Sequence, residues 1–331
     1  MPAGEPIVVI TGATGVGKSG VGLSVAERYA GEIISADSMA VYRGMDIGTD
    51  KPGGSARTRV PHHLVDIVDP DQDFSAGDFK ARAKAAIGDV SSRGRLPLVV
   101  GGTALYVRSL LYDYPLAKVG SDPDLRASLE EREIREGAGT LHRMLESIDP
   151  DSSARLHQND LRRIIRAIEV HRLTGTTMTR WRESTPPEMS YRALLVGLWR
   201  PREEIYRRID TRVERMFEEG LVDEVRQLLE TYPGLGRTAS QALGYREVLT
   251  YLAGEIDLGY CVELTKANTR KFAKRQLMWF RGEPQLRWVD AAAAPERVSE
   301  LIGIWSMNLQ NSSHCPGGIG GVSSNTASKR Q

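Results

Sequence analysis

The chain has 331 residues, 40% of them hydrophobic and 26% charged, with a formal net charge of +1 at pH 7. That balance excludes collagen-like, wholly disordered and disulfide-scaffold classes, and the length suits roughly two structural units or one large α/β domain. Cys261 and Cys315 lie far apart and outside any CxxC or Cys/His array, no apolar run reaches about 18 residues, and no signal-peptide core is present. A reduced, cytoplasmic setting without membrane insertion is therefore expected.

Taken in chain order, Ile7-Val8-Val9-Ile10 is a β-branched run ending at Thr11-Gly12, which reads as a buried strand of a parallel sheet. Lys18 to Tyr29 has helical spacing, with Val21, Val25 and Ala26 on one face. Ile33-Ile34 and Leu64-Val65-Asp66-Ile67 are further candidate strands, and Ala76 to Ile87 predicts a helix before the strand Leu98-Val99-Val100. This alternation means βαβ units and a doubly wound α/β sheet. From about residue 119 only helices are expected. Leu161, Ile164, Ile165 and Ile168 form one apolar stripe, while Arg162, Arg163 and Arg166 fall on a solvent-facing arc of the same helix. Thr185-Pro186-Pro187 breaks the helical series, Leu194 to Leu198 returns as a strand, and 203–219, 221–231 and 262–281 are amphipathic helices. The expected organisation is a core in two parts (1–118 and 193–308, the second with C-terminal helices) around an inserted all-helical subdomain (119–192). The Ser/Gly/Asn-rich 309–331 is expected to be a disordered tail.

The neutral total conceals local charge. Residues 155–215 carry fourteen Arg and no Lys against eight Asp/Glu, and 266–287 carry seven Lys/Arg against Glu283 alone. Single charges read as solvated helix faces, but an all-Arg block offers planar forks suited to phosphate, so contact with a polyanion is expected. Phe272, Trp279 and Phe280 stand among these cations and could stack on bases, although Trp279 and Phe280 also read as core. His62-His63 has no Cys or carboxylate to complete a ligand set, so a turn or helix cap is the expectation.

Gly12-Ala13-Thr14-Gly15-Val16-Gly17-Lys18-Ser19 matches G-x-x-x-x-G-K-[ST], directly after a strand and before a helix. Glycines let backbone N–H groups converge on phosphate oxygens, and the helix N-terminus adds partial positive charge. Lys18 would bridge phosphates and the Ser19 hydroxyl would hold Mg²⁺. Most such loops bind ATP or GTP and pair with an acidic residue ending a second core strand. Here Leu98-Val99-Val100 ends in Gly101-Gly102-Thr103, and no N-K-x-D guanine signature appears. Asp37, in Ser35-Ala36-Asp37-Ser38 after the second strand, falls where open α/β sheets bind ligands, as a general base, a metal-site acid or a simple turn residue.

In this order the pieces resemble the tRNA dimethylallyltransferase family (tRNA isopentenyltransferases). The match runs from the phosphate loop to about Arg287 through Asp37-Ser38-Met39-Ala40-Val41-Tyr42-Arg43, Gly48-Thr49-Asp50-Lys51-Pro52 and Pro61-His62-His63-Leu64-Val65-Asp66. It continues with Phe74-Ser75-Ala76-Gly77-Asp78-Phe79, Gly101-Gly102-Thr103-Ala104-Leu105-Tyr106 and Asn159-Asp160 with Arg162-Arg163-Ile164-Ile165-Arg166. Gly244-Tyr245-Arg246-Glu247 and Ala273-Lys274-Arg275-Gln276 with Trp279-Phe280-Arg281 complete it.

The resemblance implies transfer of a dimethylallyl group from dimethylallyl diphosphate to N6 of the adenosine just 3′ of the anticodon in tRNAs reading codons that start with U. The loop then holds the donor's diphosphate with Mg²⁺, Asp37 is the base, Thr103 bonds near the diphosphate or target base, and the helical insertion clasps the anticodon stem-loop. Asp37, Ser38, Met39, Ala40, Thr103, Arg126, Arg162, Arg163, Ile164, Ile165 and Arg166 are the tRNA-binding residues so implied. Ala40 stands where the family commonly has Gln, placing one hydrogen bond to the base in doubt. Asp50 stands where it has a small residue, with no consequence legible in the sequence. A monomer is expected. The rivals are an adenylate-type (free-nucleotide) isopentenyltransferase, a small-molecule kinase, and an RNA-binding module with a vestigial phosphate site. The Arg-rich insertion argues against the first, because a mononucleotide needs no such surface.

Overall fold

A computed structural model describes residues 4–112, 119–184 and 188–313. The first part of the core contains β1 (Pro6–Gly12), α1 (Lys18–Arg28), β2 (Gly31–Ser35), α2 (Gly54–Arg59), β3 (His62–His63), α3 (Ala76–Ser92), β4 (Leu96–Gly101) and α4 (Ala104–Leu111). Five helices follow: α5 (Pro123–Glu136), α6 (Thr140–Ile148), α7 (Pro150–Arg155), α8 (Leu161–Thr174) and α9 (Met178–Ser184). The chain then returns as β5 (Arg192–Trp199), α10 (Arg202–Glu218), α11 (Leu221–Thr231), α12 (Tyr245–Leu252), α13 (Leu258–Arg281), β6 (Arg287–Asp290) and α14 (Ala294–Ser313).

The strands form one parallel sheet in the order β3-β2-β4-β1-β5-β6. With β4 on one side and β5 on the other, β1 is central, and Ile7 to Ile10 are all fully buried. Alternate residues feed opposite faces. Ile7, Val9, Ile34, Val99 and Leu195 pack toward α3, α4 and the helices after β5, while Val8, Ile10, Leu98 and Val196 meet α1 and α14. This is the reason the strand reads as an unbroken apolar run. The inserted helices keep a separate core of Leu129, Leu141, Leu145, Ile164, Ile165 and Ile168. Ile164 and Ile165, expected among the tRNA contacts, are interior residues, a correction that follows from their place on the apolar stripe.

Several other expectations change. Residues 64–67 are not a strand: Leu64 and Asp66 have left-handed φ values of +62° and +56°. Asp66 holds this turn through ion pairs to the buried Lys51 (2.5 Å) and to Arg57 (2.7 Å). The sheet edge is His62–His63 itself, paired to Ile33–Ile34, with His63 Nε2 2.7 Å from Glu32. Tertiary pairing overrides the local turn reading there. The predicted 262–281 helix starts earlier, at Leu258, because Asp257 caps it by accepting from the Tyr260 N–H. Helices α2, α4, α12 and α14 and strand β6 have no counterpart in the sequence expectations, and α14 runs to Ser313, into the stretch expected as tail. The Thr185-Pro186-Pro187 break and residues 314–331, with Cys315, lie outside the described residues. Among the described residues no helix is long and apolar enough to cross a membrane.

Candidate active site

The site is built where β1, β2 and β4 end. After β1 the chain turns through Gly15 (φ +80°) and Gly17 (φ +106°), conformations that a side chain would strain. It then enters α1, whose first N–H groups have no side-chain cap among the described residues. Lys18 curls back to donate to the Ala13 carbonyl at 2.9 Å. Burial strips water from its ammonium and lowers its pKa to about 8, opposed by the nearby Asp37 carboxylate.

The ends of β2 and β4 are stitched together. Ala36 N–H donates to Val100 O (2.9 Å), Thr103 N–H to Ala36 O (3.1 Å), and Ser38 N–H to Thr103 Oγ1 (3.0 Å). Asp37 closes its own turn: Oδ1 accepts from Met39 N–H (2.8 Å) and Ala40 N–H (3.3 Å). That leaves Oδ2 without a hydrogen bond among the described residues. The turn role and the base role, alternatives in the sequence, are compatible in one carboxylate.

These parts line one cleft of about 850 Å³ that also takes in α10 and α13. Thr14, Gly15, Gly17, Lys18, Ser19, Asp37, Ser38, Met39, Ala40 and Thr103 all border it, whereas Ala13 and Val16 are buried beneath the loop. The inserted-domain arginines do not border it. Two of them are structural ties: Arg126 grips the fully buried Glu169 through both carboxylate oxygens (2.8 and 2.9 Å), and Arg166 reaches Glu169 (2.5 Å) and the Val119 and Gly120 carbonyls. Arg162 and Arg163 are the exposed members, and Arg163 meets Asp160 at 3.2 Å.

Arg208, Arg212 and Arg215 have no individual signal in the sequence, and Gln276 and Asp50 stand there only as members of matched motifs, with no role legible. Arg208 donates to Gly15 O (2.8 Å), and Arg212 to Thr14 Oγ1 (2.7 Å) and Asp50 (3.4 Å). Arg215 also reaches Asp50, at 3.1 Å. Gln276 accepts from Thr14 N–H (2.8 Å) and donates to Gly102 O (2.7 Å). The all-Arg block was the visible signal. Its assignment to a polyanion holds no information on which arginines α10 turns toward the phosphate loop. Phe272 borders the cleft, while Phe280 is core and Trp279 packs against it.

Fold and site together define a phosphate-loop α/β enzyme with a carboxylate beside the anion site and a basic helix closing over it, an arrangement suited to moving a group off a phosphate ester. More particularly, the IPP transferase family model matches residues 40–283, and the chain belongs to that family. It is 48% identical over 299 residues to the tRNA dimethylallyltransferase of Symbiobacterium thermophilum, covering 90% of this chain and 93% of that one. It is also 48% identical over 286 residues to that of Geobacter metallireducens (86% and 92%). Among solved structures it matches the tRNA isopentenylpyrophosphate transferase of Bacillus halodurans with a TM-score of 0.70, 38% identity and coverage of 94% and 100%. A eukaryotic dimethylallyltransferase acting on tRNA gives a TM-score of 0.78 at 28% identity, covering 93% and 80%. The enzyme is a prenyltransferase, and the free-nucleotide alternative is not favoured.

Proposed function

We propose that this protein transfers the dimethylallyl group of dimethylallyl diphosphate to N6 of the adenosine 3′-adjacent to the anticodon, in tRNAs reading codons that start with U. The observation carrying this reading is the shared cleft: an anion-binding loop and a carboxylate with a free oxygen face the same space, with the Gly101-Gly102-Thr103 turn between them.

In the reaction the bond between the donor's C1 and its bridging oxygen breaks, and the new bond joins C1 to N6. An aromatic amine is a poor nucleophile, so it needs a positioned proton acceptor, and Asp37 Oδ2 takes the N6 proton. The departing diphosphate gathers negative charge, which the loop N–H groups, the start of α1 and the Lys18 ammonium stabilise. Hard oxygen donors suit Mg²⁺, which retains waters and leans on substrate phosphates. The cleft fits that pattern: it offers Ser19 and Asp37, and no cluster of three His, Cys or acidic side chains exists among the described residues. A bound Mg²⁺ would be held by Ser19 and the donor's own oxygens and would supply further charge neutralisation.

The target base must leave its stack to reach Asp37, at a cost of a few kcal/mol that is least in an unpaired loop. Arg162 and Arg163, both exposed, would hold the tRNA backbone, a contact that positions without specifying.

The test is transfer of label from dimethylallyl diphosphate, with Mg²⁺, to an anticodon stem-loop bearing three adenines after the anticodon, with AMP and ATP alongside. Label in the stem-loop, abolished when the target adenine is replaced, supports the reading. Label only in AMP or ATP, or none from folded protein, overturns it. Asp37→Ala should keep tRNA binding and lose transfer.

A further inference from the structure

Asp50 is one of only two acidic side chains bordering a cleft that six arginines also line. Its carboxylate divides between Arg212 (3.4 Å) and Arg215 (3.1 Å), both on α10. Arg212 is the more buried of the two and donates its other arm to Thr14 in the phosphate loop at 2.7 Å. The Arg212 Nε–H is buried with no partner among the described residues. Its guanidinium is thus held at the mouth of the loop, with one arm on the loop, one on an internal anion, and one donor unfilled.

The backbone presenting Asp50 is held from several sides. Glu224 accepts the N–H groups of Asp46 (3.1 Å) and Ile47 (2.8 Å), Asp50 N–H donates to Ile47 O (3.1 Å), and the Lys51 ammonium is buried against Tyr42 O and Asp66. Within this frame Asp50 keeps a left-handed φ of +53°. Among residues other than glycine, Asp and Asn are the ones that adopt this conformation most readily, and here the surrounding hydrogen bonds hold it.

We infer that Asp50 is an internal counter-ion of the diphosphate subsite: its carboxylate occupies the Arg212–Arg215 pair that an incoming diphosphate must take over. The inference rests on the reading of the cleft as a diphosphate site. An anion fixed in place neutralises part of the arginine charge and keeps both guanidiniums aligned while the cleft is empty. Bound diphosphate then gains less than it would from free arginines, which weakens retention of the released product as well as of the donor. Partial exposure keeps the effect modest, since solvent and salt screen exposed ion pairs.

The measurement is calorimetric titration of inorganic diphosphate into the wild type, Asp50→Asn and Asp50→Gly at pH 7. Asn tolerates the left-handed conformation and Gly prefers it, so neither change strains the loop. Both variants should bind diphosphate about two- to fivefold more tightly than the wild type, the range that an exposed ion pair supplies. Unchanged or weaker binding by folded variants overturns the inference and makes Asp50 a positioning residue for the arginines. Failure of the folded wild type to bind diphosphate at all overturns the cleft reading, and the inference with it.

Discussion

Gln276 donates its side-chain amide to the Gly102 carbonyl at 2.7 Å, while the oxygen of the same amide accepts the Thr14 N–H at 2.8 Å. A side chain on α13 therefore sets the spacing between the phosphate loop and the turn after β4. An amide suits the place because it presents a donor and an acceptor side by side, and this one is nearly inaccessible to water (6% exposed). The contact also explains the glycine. A methyl group on Gly102 would sit 2.5 Å from Gln276 Nε2, 3.2 Å from Gly12 O and 3.3 Å from Lys18 Nζ.

Gly102→Ala should accordingly displace the Gln276 amide and crowd the lysine, weakening diphosphate binding by roughly two- to tenfold, the worth of about one hydrogen bond, while the protein stays folded. Gln276→Leu, similar in volume, strands the Thr14 N–H and the Gly102 carbonyl and should lower stability by about 1–3 kcal/mol. Gly101→Ala is harsher: its methyl would stand 2.2 Å from the Ala36 carbonyl oxygen, which is backbone and cannot move aside without parting β2 from β4. Thermal unfolding and diphosphate titration of the three variants check the order. Wild-type affinity in Gly102→Ala would show that the loop does not depend on this spacing.

Lys18 supplies a pH prediction. Burial lowers its pKa from 10.5 to about 8, so the empty site holds a charged ammonium below pH 8 and loses it as the pH rises. A bound anion favours the charged form, so diphosphate affinity should decline as the pH climbs through about 8. Lys18→Arg remains charged throughout and should lack that inflection, whereas the titration of diphosphate itself is common to both proteins. Parallel curves for the two from pH 6.5 to 9.5 would remove Lys18 from the anion site.

Much of this site is legible in the chain because its signals are local. The loop Gly12 to Ser19 and the Asp37 turn each occupy one short segment whose residue types dictate its conformation. Strand β1 is equally plain, since the centre strand is buried on both faces and its run from Ile7 to Ile10 is apolar throughout. What stays hidden is what distant segments do to one another. Arg212 and Gln276 lie on helices whose spacing looks ordinary, and only the packing of α10 and α13 across the strand ends turns them onto Thr14. Leu64 to Ile67 misleads for the opposite reason. Its β-branched pattern is genuine, but the buried Lys51 captures Asp66 and fixes a turn.

The arginines of the inserted helices separate into two kinds, and their substitutions should separate likewise. Glu169 is buried with no exposed side-chain surface, and burial alone would raise its pKa. Hydrogen bonds from Arg126 and Arg166, joined by the Asp122 N–H, outweigh that and hold it near 2 against an ordinary 4.5. A carboxylate depressed in this way adds stability that is complete above the ordinary value and is lost as the pH falls from about 4.5 toward 2. Arg126→Ala or Arg166→Ala leaves Glu169 with one arginine and the Asp122 N–H instead of the full set, and should cost about 1–3 kcal/mol, with tRNA affinity falling only as the fold does. Arg162→Ala and Arg163→Ala touch no buried group. They should leave unfolding unchanged, weaken stem-loop binding, and each reduce the slope of log affinity against log salt by about 1. Circular dichroism melts between pH 3 and 7, together with salt-dependent binding of the anticodon stem-loop, measure both halves. A loss of stability in Arg162→Ala, or a lower salt slope in a folded Arg126→Ala, would reverse the assignment.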